Sequence, residues 1–459
     1  MQHKIGQLGP YILLAIFFAC SLIFRPLLPI DETRYLTVAW EMFLQKKYAV
    51  LSLNFSPYHH KPPFLFWSIN AMWELFGVSR AVAMIPVFLA SSLFIFLTIK
   101  LSKDLLPDYQ DLHRIMSWAV LCSIPFLIYS SLIMFDIMLS CAILAYLLTL
   151  RSYVREDDIC KIIKCGIILG LGVLIKGPVV LVYLLGPILA YKYWKPENGI
   201  SSKKFSIAVL GSVIIGAALV FVWLIPALTQ TSDEFSYSLI WNQSAGRVTG
   251  NMESAHSRPF YFYLILLPAL FMPWVFFPKF WRSIRNYSNH PALKFLFVST
   301  IPAFILFSII SGKQPHYMVP LLPFIIIFSV YFLKEIDMKV FKILGTTLVV
   351  IFCVGQFIAT KTYFDYIDLK PLAAFYNVNQ NTENWSFVRK YQGEIGFLAK
   401  VDKQIESLER DDLPMWFEKY PDGLAIMRYS DTDDNSHFNM LFSMPYKGKN
   451  IGVFELKDN

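Results

Sequence analysis

The chain has 459 residues and a formal net charge of +8, with 56% hydrophobic and only 16% charged residues. An ordinary soluble domain carries roughly 25% charged residues. The shortfall excludes disordered, collagen-like and disulfide-stapled proteins, and charge-poor runs of more than about 18 residues mark transmembrane helices instead.

Eleven spans are expected, over 8–24, 80–100, 112–134, 136–152, 161–176, 177–194, 205–228, 259–280, 292–311, 316–333 and 339–360. The first run lacks a small-residue cleavage site and reads as a retained helix. Residues 62–76, PPFLFWSINAMWELF, are apolar but too short to span. At 1.5 Å per residue they reach about 22 Å, against a hydrocarbon core of ~30 Å. They are expected to lie along the outer membrane surface, with Trp67 and Trp73 at the interface. The six cysteines fit no zinc or disulfide spacing and read as apolar filler.

Charge divides the chain in two. Residues 1–360 hold 29 Lys/Arg and 17 Asp/Glu, whereas 361–459 hold 12 and 16. The first part is read as the transmembrane domain and the second as a small polar α/β domain. Within the second, 402–418 carries helix-forming charge and apolar spacing up to Pro414, and FNMLFSMPYKGKNIGVFELK is expected to form a hairpin turning near Lys447–Asn450. With the N-terminus inside, the short inner joins carry 19 Lys/Arg and the longer outer segments ten, and the C-terminal domain falls outside. The basic excess therefore sets sidedness and implies no nucleic-acid partner.

Sidedness gathers the unusual ionisable residues on the outer face: Asp31, Glu32, Arg34, Lys61, Asp136, Lys176, Lys313 and His316. Charges at membrane depth cost ~2.5–3.5 kcal/mol on insertion scales and usually mark a site. Structural readings stand beside the functional one. Lys176 could snorkel to headgroups, Asp31 or Glu32 could cap a helix over 33–45, and Asp136 could cap its own helix. Co-location favours chemistry. Cations stabilise a departing lipid-linked phosphate, and a carboxylate orients or deprotonates an acceptor.

Six segments in order carry a resemblance: RPLLPIDETRY, HHKPPFLFW, FDIML, LIKGPVVL, HSRPFYFY and SGKQPHYMVPLLP. They resemble the motif series of C-type glycosyltransferases, more narrowly the bacterial lipid A aminoarabinose transferases, which are related to protein O-mannosyltransferases. The resemblance implies a polytopic enzyme of the bacterial inner membrane with a periplasmic active site. Residues 31–79 would then form the first periplasmic loop, 229–258 the large one, and 361–459 a periplasmic domain. An undecaprenyl-phosphate donor and a lipid A or lipopolysaccharide acceptor are implied, the sugar being an amino sugar. A protein hydroxyl or another glycolipid is the alternative acceptor. A lipid or sugar transporter is disfavoured because no internal repeat is visible.

Carried over by position, Asp31 becomes the leading catalytic carboxylate, with Glu32 and Asp136, while Arg34 and Lys61 engage the donor phosphate. Lys176, Arg247, Lys313, His316 and Tyr317 complete the site without assigned roles. The chain departs from the aminoarabinose pattern before the KP motif, where His60 replaces an acidic residue. No cofactor is required; a shared metal would here fall to His60 (or His59) with His256, a pair of imidazoles that suits zinc.

Overall fold

The computed structural model describes residues 2–232, 237–239, 258–285, 290–433 and 437–457. The chain divides into two compact units. One comprises residues 1–19, 59–65 and 84–352; the other comprises 20–58, 66–83 and 353–459.

Among the described residues, six helices are long and apolar enough to cross a membrane: Arg80–Leu105, Asp136–Glu156, Ser202–Thr229, Pro291–Ile309, Pro315–Phe332 and Met338–Ala359. A seventh crossing forms if Gln110–Cys122 and Ile124–Ser130, bent by 64°, count as one. The bend falls at Ser123, just before Pro125. The other expected spans are shorter, charged or broken. Leu8–Phe24 has fewer than 18 residues, and Val179–Leu189 is shorter still and contains Pro187. Ile159–Lys176 carries Lys161, Lys164 and Lys176. The expected span at 259–280 is divided into the helices Phe262–Leu270, Trp274–Phe276 and Pro278–Arg285, with Pro268, Pro273 and Pro278 punctuating it. Pro273 and Pro278 fall at the breaks, since a proline cannot continue the preceding helix, while Pro268 lies inside the first helix two residues before its end.

Burial separates central helices from peripheral ones. Asp136–Glu156 and Pro315–Phe332 are 72% and 78% buried, whereas Ser202–Thr229 and Met338–Ala359 are only 17% buried and present apolar side chains outward. Small residues let one peripheral helix approach closely. A Cβ on Gly166 would lie 2.5 Å from Ile215, and one on Gly170 would lie 2.9 Å from the carbonyl oxygen of Gly216. Gly166, Gly170 and Gly216 thus bring Ile159–Lys176 and Ser202–Thr229 into near-backbone contact, the usual device where lipid offers no hydrophobic drive.

In the second unit, Asp31–Gln45 is a helix whose N-cap is Ile30. Neither Asp31 nor Glu32 caps it, contrary to that expectation; both lie in its first turn. Glu41 is buried on the same helix and accepts the N–H groups of Asn54 (2.6 Å) and Phe55 (2.9 Å). Burial pushes its carboxyl up, opposed by bonds from Ser52, Phe55 and Asn54. Those bonds hold the tight turn between β1 (Ser52–Leu53) and β2 (Ser56–Pro57), in which Asn54 and Phe55 are both left-handed. The apolar segment at 62–76 forms the helix Phe64–Phe76, too short to span, as expected. Trp73, expected at the interface, is instead buried and stacked on Phe397 at 5.4 Å. Its indole N–H is satisfied by the Ser79 carbonyl at 2.9 Å, so the ring can leave the wet interface.

The C-terminal residues of this unit build a five-stranded mixed sheet in the order β4-β3-β5-β7-β6. The strands are β3 (Trp385–Val388), β4 (Glu406–Leu408), β5 (Leu424–Tyr429), β6 (Phe438–Tyr446) and β7 (Lys449–Leu456). β3 runs parallel to β4 and β5, and β7 runs antiparallel to β5 and β6. The β6–β7 hairpin turns at Lys447 and Gly448, both left-handed. The helix expected over 402–418 is not formed. That stretch holds β4, a short 3-10 turn at Arg410–Asp412 and the helix Leu413–Lys419. Pro414 starts that helix instead of ending one, because its missing N–H costs nothing in a first turn.

Gly170→Val tests the close helix packing. Overpacking of this kind costs about 1–3 kcal/mol, so the variant is expected to lower the thermal midpoint of the detergent-purified protein. An unchanged midpoint would mean that the two helices can part freely.

Candidate functional site

The first unit presents a buried ion pair. Asp136 is the first residue of its helix and Lys176 lies in the last turn of Ile159–Lys176. Their side chains form an ion pair and are 2% and 6% exposed. Each charge sits at the favourable pole of its own helix, the carboxylate at an N-terminus and the ammonium at a C-terminus. Local sequence fixes both positions. Phe135 occupies the N-cap and the Ser140 hydroxyl donates to the Asp136 carbonyl at 2.7 Å. Gly177, with φ of +84°, ends the lysine's helix, and Pro178 leads into the next one. Asp136 is therefore not the side-chain cap that was one reading of it; it lies one residue inside the helix.

Tyrosines organise the surroundings. The Lys176 ammonium lies 5.0 Å from the centre of the Tyr317 ring. The Tyr183 hydroxyl donates to the Tyr317 carbonyl at 2.7 Å, and the Tyr263 hydroxyl donates to the Gln314 carbonyl at 3.0 Å. The SGKQPHY segment is thus pinned from two helices, and the rings of His316 and Tyr317 meet edge to face. Lys313 is buried and donates to the carbonyls of Arg258 (2.9 Å) and Ile310. It ties two segments together through backbone oxygens. Lys61 lies 5.8 Å from the Phe135 ring, and the His59 and His60 rings lie 4.7 Å apart.

The second unit separates the adjacent acids Asp31 and Glu32. Glu32 is buried and bonded to both terminal nitrogens of Arg25, and it also accepts the Leu28 N–H at 2.9 Å. Arg80 closes the group by donating to the Arg25 carbonyl at 2.5 Å. This carboxylate is consumed by structure. Asp31 is 51% exposed, and one oxygen accepts from Arg34 at 2.7 Å. The other arm of the Arg34 guanidinium donates to Gln392 at 2.8 Å. A forked cation thereby orients an accessible carboxylate.

Arg247 and His256 lie outside the described residues. No group of three or more metal-ligating side chains occurs among the described residues. Sequence reasoning did not single out Tyr183, Tyr263, Gln392 or Glu41. The two tyrosines had a signal, as hydroxyls inside the apolar runs VVLVYLLG and FYFYLILLP, and Glu41 had one as a lone acid in YLTVAWEMFLQ. Gln392 had none.

Comparison with known proteins gives a consistent outcome. Residues 60–225 match the family model described as dolichyl-phosphate-mannose-protein mannosyltransferase. The chain is 24% identical over 399 residues to undecaprenyl phosphate-alpha-4-amino-4-deoxy-L-arabinose arabinosyl transferase 2 of Proteus mirabilis (strain HI4320), covering 79% of this chain and 68% of that one. It is 24% identical over 351 residues to the corresponding transferase of Serratia proteamaculans (strain 568), covering 72% and 61%. The chain thus spans roughly two thirds of the length of these relatives. In fold it matches the crystal structure of ArnT from Cupriavidus metallidurans bound to undecaprenyl phosphate, with a TM-score of 0.74, 17% identity and 96% of each chain covered.

Lys176→Met would strand the Asp136 charge in a buried site, where losing one partner costs about 3–5 kcal/mol. The expected result is a large fall in thermal midpoint, with most of it restored in the double variant Asp136→Asn/Lys176→Met. A double variant no more stable than the single one would mean that the two groups are not coupled.

Proposed function

We propose that this glycosyltransferase, a relative in sequence and fold of the undecaprenyl-phosphate-aminoarabinose transferases, moves an amino sugar from an undecaprenyl-phosphate donor to lipid A at the periplasmic face of the inner membrane. The observation that carries the reading is the Asp31–Arg34–Gln392 arrangement, which keeps one carboxylate accessible and oriented while its neighbour Glu32 is buried.

In such a transfer the acceptor oxygen forms a bond to the anomeric carbon. The bond from that carbon to the phosphate oxygen breaks, and undecaprenyl phosphate leaves with the electron pair. Negative charge grows on the leaving phosphate, and fixed cations lower that barrier. Arg34 and Lys61 keep this role, as the motif order implies. Asp31 is the carboxylate that orients the acceptor or the sugar's ammonium, because a lipid A phosphate is already anionic and needs no strong base. Asp136 and Lys176, as a neutralised pair, set the shape and field of their own unit. Lys313, bonded to carbonyls, supports the backbone that presents His316 and Tyr317. Arg247 remains a candidate on the motif pattern alone. So does metal binding by His60 with His256, for which the described residues offer no third ligand.

The eleven-span topology belongs to this reading. Helices broken by proline are tolerated at membrane depth where neighbouring protein satisfies the freed backbone groups. The 19-to-10 division of basic residues supports an outer location for residues 361–459.

The test of function is mass spectrometry of lipid A from cells with and without the gene. A mass increment of one amino sugar is expected with the wild-type gene and is expected to vanish with Asp31→Asn at equal protein level. Sugar appearing on a protein would replace the acceptor, and an active Asp31→Asn would remove that residue from the chemistry.

Sidedness has its own test. Cysteines are placed singly at Ser201 and Asp422, both exposed, in a background lacking the native six. An impermeant thiol reagent on intact spheroplasts is expected to label position 422 and spare 201. The reverse pattern would put the sheet domain in the cytoplasm.

A further inference from the structure

The first unit holds a cavity of about 310 Å³ whose lining includes Leu105, Arg151, Arg155, Trp194, Lys195 and Glu197. Its place in the fold is defined by one helix. Asp136 begins Asp136–Glu156, while Arg151 and Arg155 stand in its last two turns. A helix of this length spans about 30 Å, so the cavity opens at the opposite end of the bundle from Asp136. The catalytic reading above makes no use of it.

Its walls have two chemistries. Leu105, Trp194 and the residues Pro196, Pro291 and Ala292 are apolar. Three cations face a single lining acid, Glu197. Asp104 pairs with both Arg151 and Arg155, so one carboxylate is shared by two guanidiniums and their charge is only half cancelled. The Arg151 guanidinium is fixed in place, 4.5 Å from the Phe295 ring and 5.5 Å from the Trp194 ring. Trp194 is fixed in turn by its N–H, which donates to the Pro187 carbonyl at 2.6 Å. Just outside the lining, Lys294 lies 5.2 Å from the exposed Tyr193 ring. A pre-shaped pocket with surplus positive charge, a buried Trp and apolar walls, set at the end of transmembrane helices, suits a group that is anionic at one end and greasy at the other.

We propose that this cavity binds the phosphodiester headgroup of an anionic bilayer phospholipid. Arg155 and Lys195 meet the phosphate, and the apolar walls take the glycerol and the start of the acyl chains. A freely soluble phosphate compound shares the anionic chemistry but would leave those walls uncovered.

The test is native mass spectrometry of the full chain purified in detergent and offered equal amounts of phosphatidylglycerol and phosphatidylethanolamine. Wild type is expected to retain phosphatidylglycerol selectively. Each basic residue near a membrane surface contributes roughly 1 kcal/mol toward anionic lipid, about fivefold, so Arg155→Gln and Lys195→Gln should each cut the retained ratio by about that factor. Arg151 is left in place to keep its bond to Asp104. The exposed Lys339 controls for general surface charge, and Lys339→Gln should change nothing. Among the variants, either of two results would overturn the proposal: an unchanged ratio in the double variant Arg155→Gln/Lys195→Gln, or a loss as large with Lys339→Gln. Displacement of the bound lipid by added inorganic phosphate would likewise overturn it, by identifying a soluble anion as the occupant.

Discussion

The ion pair between Asp136 and Lys176 is the constraint around which the first unit is arranged. Two opposite charges are taken almost wholly out of water, and each must repay its desolvation. They do so through one another and through the dipoles of their own helices. Local sequence sets where Asp136–Glu156 begins and where Ile159–Lys176 ends, and the pairing holds those two ends together. The Gly166, Gly170 and Gly216 contacts then fasten the lysine's helix to Ser202–Thr229, and Tyr317 lies over its ammonium. Helix packing, loop anchoring and charge placement are consequently a single problem solved at one point.

The second unit uses charge differently. Its buried pair, Arg25 with Glu32, stabilises the start of a helix and carries no freedom for chemistry. Its half-open pair, Asp31 with Arg34, keeps a carboxylate in contact with water. The difference follows from one residue of offset at a helix N-terminus. Successive residues are turned by about 100°, so one acid faces the protein and the next faces outward.

The sequence made the individual charges visible but not their partners. Asp136 in SLIMFDIML and Lys176 in LIKGPVVL stand out because neighbouring residues are apolar. Forty positions separate them, and no local pattern encodes a contact at that range. The same holds for Arg34 and Gln392, which are more than 350 residues apart. Local features were legible: the β6–β7 hairpin followed from alternation and a Lys-Gly turn. The parallel neighbours β3, β4 and β5 were not, since parallel pairing needs crossovers whose register lies outside any short window. Proline misled in both directions. Pro414 begins a helix where the charge and apolar pattern suggests one ending, and Pro273 and Pro278 divide a run that is apolar throughout.

Adjacent acids invite treatment as interchangeable, and Glu32 shows the limit of that habit. Its carboxylate reaches both terminal nitrogens of Arg25 and the N–H of Leu28 from one backbone position. Aspartate at 32 would fall a methylene short of that arginine, whereas the half-exposed position 31 sets no such length. Sequence comparisons that score Asp-Glu and Glu-Asp as equal would therefore align a buried, anchoring acid with an accessible one. Order within the pair, rather than acidity, is the feature by which distant homologues should be sorted.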